Sequence, residues 1–417
     1  MERGAVDREN LIHDWNRSGN APRKFGNFDL FDESLRDGLQ SPSVIDPPVE
    51  DKIRIVELMA ELGIEAVDVG LPCAGPRAFS DVLALARHIR DRKLPLSVAA
   101  AGRTVVGDMQ AIAEVQQKAG IPIIAYAFIG SSPIRQYAEG WTLERMLKTS
   151  IEAISFARKE GLEVCYVTED TTRSSPETLR QLFLAAIEHG ASRLCVCDTV
   201  GHATPDGVRA LIAFTKEVIA ESGADVKIDW HGHNDRGLAL INALVALEAG
   251  ADRIHGTAAG IGERVGNTPI DQVLVNLKLD GVIDRDLTKL VEFVRTVAKA
   301  TGVEIPANYP LVGDDAFRTA TGVHAAAIIK AKRRNDDWLA DRVYSAVPAG
   351  EFGKSQTIDV GPMSGMSNVI YWLEQRKEPV DEELGRFILD RAKASNRTLS
   401  DADIYQAIAE FRSRATA

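Results

Sequence analysis

Cysteine is scarce in this chain: Cys73, Cys165, Cys195 and Cys197 are the only four in 417 residues. So sparse a set makes no disulfide framework, which belongs to short, cysteine-dense secreted chains. Long apolar runs are missing too. No stretch reaches the roughly 18 residues that a helical membrane span requires, and the first residues are polar and mixed in charge, unlike a signal peptide. A cytoplasmic protein with no membrane partner is expected. An excess of positive charge is likewise absent: 49 Lys and Arg against 60 Asp and Glu leave a net charge of −11. Phosphate backbones are recognised by clustered basic faces, so no nucleic-acid partner is expected. The one basic cluster, Lys330 to Arg334, sits beside Asp336 and Asp337. It reads as a solvated helix end; the alternative is a grip on the phosphates of a nucleotide-bearing substrate.

What is present is rhythm. Residues 1–25 lack a sustained period and read as an arm. Beyond them, strand-like apolar runs at 26–32, 65–70, 95–100, 122–128, 162–168, 192–197, 226–231 and 252–257 alternate with amphipathic stretches. The helical stretches are 49–62, 76–91, 104–119, 140–160, 175–189, 204–221, 236–249 and 269–279. Repeated β-then-α units with short connections imply a parallel sheet, and eight of them in about 255 residues imply an α/β fold closed as a (β/α)8 TIM barrel over 26–284. A doubly wound open sheet is the competing architecture. Pro176 and Pro205, behind Ser175 and Thr204, suit first helical turns. Gly63, Gly120, Gly161, Gly190 and Gly250 recur where each helix must stop in a left-handed residue. From 285 to 417 the pattern turns mostly helical (286–301, 314–332, 381–393, 400–413), with loops such as 345–368.

In such a barrel the working residues follow the strands, at the C-terminal face. Strand 1 is followed by Ser34-Leu35-Arg36-Asp37-Gly38-Leu39-Gln40, and strand 5 by Thr168-Glu169-Asp170. Asp198-Thr199-Val200-Gly201-His202 follows strand 6, and strand 7 ends in His231-Gly232-His233-Asn234-Asp235. Residues two apart on a strand face the same side, so both imidazoles can reach one cation, with Asp37 and Asn267 as oxygen donors. A mixed nitrogen and oxygen set suits a divalent ion such as Mg2+, Mn2+ or Zn2+; the bland reading is a pair of structural histidines. Arg36 could neutralise developing enolate or alkoxide charge, or merely pair with Asp37 or Glu169. The loop Gly260-Ile261-Gly262-Glu263-Arg264-Val265-Gly266-Asn267 lacks the dinucleotide-binding spacing. It suits close backbone approach to a ligand, with Glu263 and Arg264 bracing it. Cys195 and Cys197 share one strand face and read as core residues.

Phe31 to Pro42, His231 to Asp235 and Gly260 to Asn267 together resemble the 2-isopropylmalate synthase and homocitrate synthase family of DRE-TIM metallolyases, over roughly residues 28–370. The resemblance implies Asp37, His231, His233 and Asn267 as metal ligands. It gives Arg36 and Gln40 to the reacting carbonyl, Thr199 to the substrate carboxylate, Glu169 to the active-site glutamate, and Gly260, Gly262 and Glu263 to the side of the acetyl-CoA co-substrate. His324 and Tyr344 match a histidine and tyrosine that relatives supply from a partner subunit, so a homodimer is implied. The reaction implied is a Claisen condensation. A base, with His324 the leading candidate, deprotonates acetyl-CoA; the enolate attacks the ketone of a 2-oxo acid, and water then hydrolyses the thioester.

The resemblance leaves the substrate open. Arg135 suits an anionic tail, whereas Leu71 suits an aliphatic one. A stretch matching the regulatory domain of many 2-isopropylmalate synthases is not found in the 417 residues, so no leucine feedback through such a domain is expected. Two other readings remain. A 3-hydroxy-3-methylglutaryl-CoA-type lyase would want a cysteine in the loop after strand 8, and 256–268 holds none. A non-catalytic barrel used for binding would have no reason to keep the whole ligand set.

Overall fold

The computed structural model describes residues 8–16 and 25–415; most of the arm expected over 1–25 lies outside them. Strands β1 (Asp29–Asp32), β2 (Ala66–Asp68), β3 (Ser97–Arg103), β4 (Ile123–Gly130), β5 (Glu163–Glu169), β6 (Arg193–Asp198), β7 (Lys227–Gly232) and β8 (Arg253–Gly256) form a closed barrel. Every neighbouring pair is parallel, and the ring closes where Asp29 to Asp32 run beside Arg253 to Gly256. Closure excludes the open doubly wound sheet.

Strand pleating sorts the side chains. Leu30, Val67 and Ile254 turn outward into the core shared with the helices, while Phe31 and Ala66 turn inward with Tyr126, Cys165, Cys195 and Cys197. Cys195 and Cys197 are thus interior residues, as expected, and all four cysteines are free. Around the barrel run α1 (Val49–Glu61), α2 (Pro76–Arg92), α3 (Val106–Ala119), α4 (Pro133–Glu139), α5 (Leu143–Lys159), α6 (Pro176–Glu188), α7 (Pro205–Ser222), α8 (Ala239–Ala249) and α9 (Ile270–Leu279). Ser175 and Thr204 cap α6 and α7 by accepting from the Thr178 and Gly207 amides, with Pro176 and Pro205 in the first turn. The five helix-ending glycines all have positive φ, from 67° to 103°.

Past the barrel come α10 (Leu290–Thr301), α11 (Gly322–Lys332), α12 (Asp337–Arg342), α13 (Met366–Gln375), α14 (Glu382–Ala394) and α15 (Asp401–Ala415). Packing does not break at 284. Leu290, Phe293 and Val294 of α10, then Val312, Phe317 and Phe352, belong to the same core as the barrel helices. A separate core lies further on, where Trp372 and Leu373 meet Leu384, Ile388, Ile404 and Ile408.

The helix expected over 314–332 starts only at Gly322. Arg318–Thr319 is instead a short strand, β9, paired with β10 (Thr357–Ile358). Thr319 and Thr321 are β-branched and Gly322 follows, which disfavours a helix in that stretch. The loop read over 345–368 gives way to α13 at Met366, and α4 and α12 are short helices that periodicity over longer windows hides. The Lys330 to Arg334 cluster does close a helix: Lys332 donates to the Gln356 carbonyl at 2.7 Å and Arg333 pairs with Glu374 at 2.8 Å. No helix among the described residues is long and apolar enough to cross a membrane.

Candidate active site

The site is built at the C-terminal mouth of the barrel, beginning with the turn after β1. The Glu33 carbonyl accepts from the Arg36 amide and the Gly38 amide, both at 3.0 Å, while the Ser34 amide bonds Asp32 Oδ1 at 2.7 Å. Ser34 Oγ accepts from the Ala258 amide at 2.8 Å, tying the turn to the loop after β8. This winding sets Arg36 and Asp37 over the barrel mouth. Across it, β7 delivers His231, and His233 follows one residue beyond the strand, its amide held by the Asp198 carbonyl at 3.1 Å. Asp37 Oδ2 then lies 3.3 Å from His231 Nε2 and 3.4 Å from His233 Nε2. Asp37 and the two histidines, drawn from opposite ends of the barrel sequence, are buried together with ligand atoms close enough for one ion.

Asn267 is carried in by the glycine-rich loop. Its backbone bridges to His233, and its Oδ1 is buried without a partner while Nδ2 donates to the Ile261 carbonyl at 3.3 Å. The glycines explain how it fits: a Cβ on Gly262 would sit 2.5 Å from Asn267 Nδ2, and one on Gly266 would strike the Gly260 carbonyl oxygen. An orphaned acceptor oxygen and an acidic oxygen between two imidazole nitrogens form a donor set that fits a divalent cation.

The charges beside this set are strongly coupled. Arg36 is surrounded by Glu33 at 3.1 Å, Asp68 at 3.1 Å and Asp37 at 3.8 Å. Burial works against its charge, but these three carboxylates raise its pKa further above the ordinary arginine value. Burial alone would raise Asp37 too; Arg36 and the two histidines bring it down to about 2. Burial likewise disfavours a charged His231, yet Glu33 outweighs it and lifts the imidazole to about 10. Asp68 goes the other way, raised to about 6 by burial despite Arg36.

These residues frame a cavity of about 220 Å3 lined by Arg36, Asp37, Gln40, Glu169, Thr199 and both histidines, with Tyr126, Phe128, Val167, Cys195 and Cys197 on its apolar side. The Thr199 hydroxyl accepts from the Asp170 amide at 2.8 Å and keeps its own proton to donate. Burial raises the Glu169 pKa, against the pull of Arg135. Other expected residues stand outside the lining. Arg135 lies off to the side, 3.4 Å from Glu139 and 3.7 Å from Glu169. Leu71 packs against the barrel-interior cluster. Of the loop residues, Glu263 lines the cavity, whereas Gly260 and Gly262 pack on Asn267. His324 and Tyr344 stack on each other, ring centres 3.9 Å apart, and neither lines the cavity.

The chain matches the HMGL-like family over residues 27–297. It belongs to that family. Homocitrate synthase from Methanopyrus kandleri is 32% identical over 367 residues, spanning 88% of this chain and 87% of the relative. 2-Isopropylmalate synthase from Pyrococcus furiosus is 36% identical over 307 residues, 72% of this chain and 60% of that relative. Among solved structures, the HMG-CoA lyase from Bacillus subtilis has a TM-score of 0.57 at 21% identity, covering 68% of this chain and 97% of its own; that likeness shows the fold.

This HMGL-like barrel also holds polar residues that sequence reading passed over. Glu33 accepts from or faces three groups: His231 Nδ1 at 2.7 Å, Arg36 and His255 Nδ1 at 3.2 Å. Deeper in, Asp229 meets His255, Arg193 and the Tyr126 hydroxyl, and Arg253 reaches Tyr126 and Asp29. A signal for them existed. Once Phe31 and His231 are placed inward, pleating puts Glu33, Asp229, Arg253 and His255 on the same inner face.

Proposed function

We propose that the chain is a metal-dependent acyltransferase of the 2-isopropylmalate and homocitrate synthase type, condensing acetyl-CoA with a 2-oxo acid and releasing CoA. The observation that carries this is the meeting of Asp37, His231 and His233 beside Arg36 at one cavity mouth. With Asn267 they would hold the divalent cation, Mg2+, Mn2+ or Zn2+, whose chemistry there is Lewis-acid polarisation of a ketone. Arg36, fixed by three carboxylates and unable to deprotonate, holds the negative charge that develops on the ketone oxygen. Gln40 lies beside Arg36 on the side of the reacting carbonyl, and the Thr199 hydroxyl orients the substrate carboxylate. Glu169, which lines the cavity and whose protonated form burial favours, would hold a proton beside the reacting carbon.

No histidine other than the candidate ligands and His255 lines the cavity, so the base that takes the acetyl methyl proton comes from elsewhere. We assign it to His324, assisted by Tyr344, entering the mouth from a second copy of the chain. The surface around that pair is apolar and open: Val323 is 80% exposed, Met363 71% and Tyr344 50%, and Gly322 bonds Met363 directly. Acetyl-CoA would then lie between the Glu263 loop and the partner. The cavity wall of Phe128, Val167 and the two cysteines favours a 2-oxo acid with an uncharged tail, while Arg135, off to the side beside Glu169, would be the candidate to accept a charged one.

The deciding assay is CoA release from acetyl-CoA with a panel of 2-oxo acids, with and without chelator. Release that needs both an oxo acid and a divalent cation is expected, and the preferred acid names the substrate. Cleavage of a hydroxyacyl-CoA instead would assign the barrel to the lyases, and no turnover of either kind would leave a binding role.

A further inference from the structure

The two candidate imidazole ligands are held differently. His233 faces Asp37 with Nε2, and its Nδ1 is buried with no hydrogen-bond partner among the described residues. His231 is gripped on its far side by Glu33 Oε2 at 2.7 Å, a separation typical of a charge-assisted bond. Glu33 is fully buried, as is the group beneath it. His255 Nδ1 stands 3.2 Å from Glu33 Oε1, and its Nε2 3.1 Å from Asp229 Oδ2. Asp229 in turn is seated by Arg193, 2.8 Å from Nε, and by the Tyr126 hydroxyl at 2.7 Å. The order along the barrel axis is Arg193, Asp229, His255, Glu33, His231, Asp37: guanidinium, carboxylate, imidazole, carboxylate, imidazole, carboxylate. Opposite or complementary groups adjoin at every step, the His255 Nδ1 to Glu33 step by proximity without a formed hydrogen bond, inside a barrel whose other inner residues include Phe31, Tyr126 and cysteines. A buried carboxylate is costly unless each oxygen is partnered, so a column of this kind holds its members only while it is complete.

We infer that Glu33 is a positioning residue for the cation site, locking His231 with Nε2 turned to the mouth, and that His255 and Asp229 hold Glu33 for that task. A carboxylate on the far nitrogen fixes which ring nitrogen is free to ligate and raises its donor strength. The site then owes its geometry to residues reaching through the barrel interior, of which Glu33 and His255 also border the cavity. Glu33 also draws Arg36 into register, so one carboxylate sets both the ligand and the charge-stabilising guanidinium. The inference rests on the cation site proposed above but not on the reaction assigned to it.

The test is Mn2+ binding to the metal-stripped full chain, without any substrate, read by the electron paramagnetic resonance of free Mn2+ and by calorimetry. Glu33→Ala is expected to weaken Mn2+ binding by about 10- to 100-fold. Glu33→Gln keeps an acceptor oxygen for the ring N–H and should fall between it and the parent. His255→Gln should weaken binding by a smaller factor, through Glu33. Circular dichroism and thermal melting establish that each variant is folded, and Co2+ absorption spectra report whether the ligand geometry has altered. A folded Glu33→Ala chain that binds Mn2+ within twofold of the parent, with an unchanged Co2+ spectrum, overturns the inference. Should Glu33→Ala not fold, the Glu33→Gln and His255→Gln chains decide it: parental affinity in both overturns it. A parent chain that takes up no Mn2+ overturns the ligand set itself, an outcome separate from any failure of the condensation assay.

Discussion

The barrel mouth and the segment bearing His324 and Tyr344 are built on opposite terms. At the mouth, Asp37, His231 and His233 are buried, and the central groups are held from at least two sides: Arg36 by three carboxylates, His231 by Glu33 and Asp37. His324 and Tyr344 lie on a partly open surface and are stacked on each other. The contrast separates two tasks. Stabilising developing charge requires fixed dipoles and charges that do not reorganise during the reaction. Delivering a base that must meet a bulky thioester requires a group that can arrive after the substrate. On the proposed reading, preorganisation and delivery fall on different parts of the chain.

The sharpest way to break this division is at the mouth. Asp37→Ala removes the one oxygen that both imidazoles face and leaves Arg36 with one fewer counter-charge. Turnover is expected to fall by about 10^3-fold or more, with loss of cation binding by calorimetry. Retention of both would show that the two regions were assigned the wrong way round. Next is delivery. His324→Ala should lower kcat by about 10^2- to 10^4-fold while cation affinity stays at the parental level. If the base crosses between copies, mixing inactive Asp37→Ala and His324→Ala chains rebuilds intact sites. Random pairing would then restore about a quarter of parental activity, because half of the dimers are mixed and each carries one complete site. A mixture that stays silent after subunit exchange has been verified by mass would place the base within one chain.

A third effect concerns protons at the mouth. Burial opposes charge on His231, but Glu33 lifts its pKa to about 10, so near neutral pH the ring carries a proton that a cation must displace. The sign follows: apparent cation affinity rises with pH, by about tenfold per unit, and the rise ends as pH passes about 10. Asp37, already brought down to about 2, contributes nothing to that slope above about pH 4. Calorimetry at pH 6 and pH 8 should differ by about 100-fold in affinity, with about one proton released per ion in buffers of different ionisation enthalpy. A flat profile would show that His231 is neutral before the ion arrives, with only its Nδ1 proton engaged by Glu33.

Most of the barrel was legible because a parallel strand buried on both faces and a helix buried on one write different periods, and because glycine marks most helix ends at the same phase. All eight strands fall where the alternation puts them. The mouth was legible through His231, His233 and Asp37, since strand parity and the β-then-α order fix which residues reach the C-terminal rim. What stayed hidden shares one cause: it depends on contacts between distant strands. Glu33, Asp229 and His255 are single polar letters in apolar strands, and nothing in their own neighbourhoods says that they meet. The short β9 and β10 pairing is likewise set by residues 39 positions apart, and so Arg318–Thr319 read as the start of a helix. Where His324 would act is not written in local sequence either, because on the proposed reading a second copy completes that geometry.

The smallest effect falls beside the mouth, where Arg135 lies 3.7 Å from Glu169 and 3.4 Å from Glu139. Its guanidinium is partly exposed and shared between two carboxylates, so little of its charge is unspent in the free chain. A 2-oxo acid with a second carboxylate would have to draw it away from Glu169, whereas one with an apolar tail would leave that pair intact against Phe128 and Val167. Arg135→Ala should therefore lower kcat/KM for dicarboxylic 2-oxo acids by about tenfold, and for aliphatic ones by no more than about threefold. Part of the smaller loss would come through Glu169. Burial already raises its pKa, and removing the nearby cation raises it further, so the acid limb of its pH profile should move upward. Steady-state kinetics with paired acids of equal chain length separate the two contributions. An equal loss for both classes, with the pH profile unmoved, would take Arg135 out of the tail pocket and leave its ion pairs as a fastening of α4 to the rim.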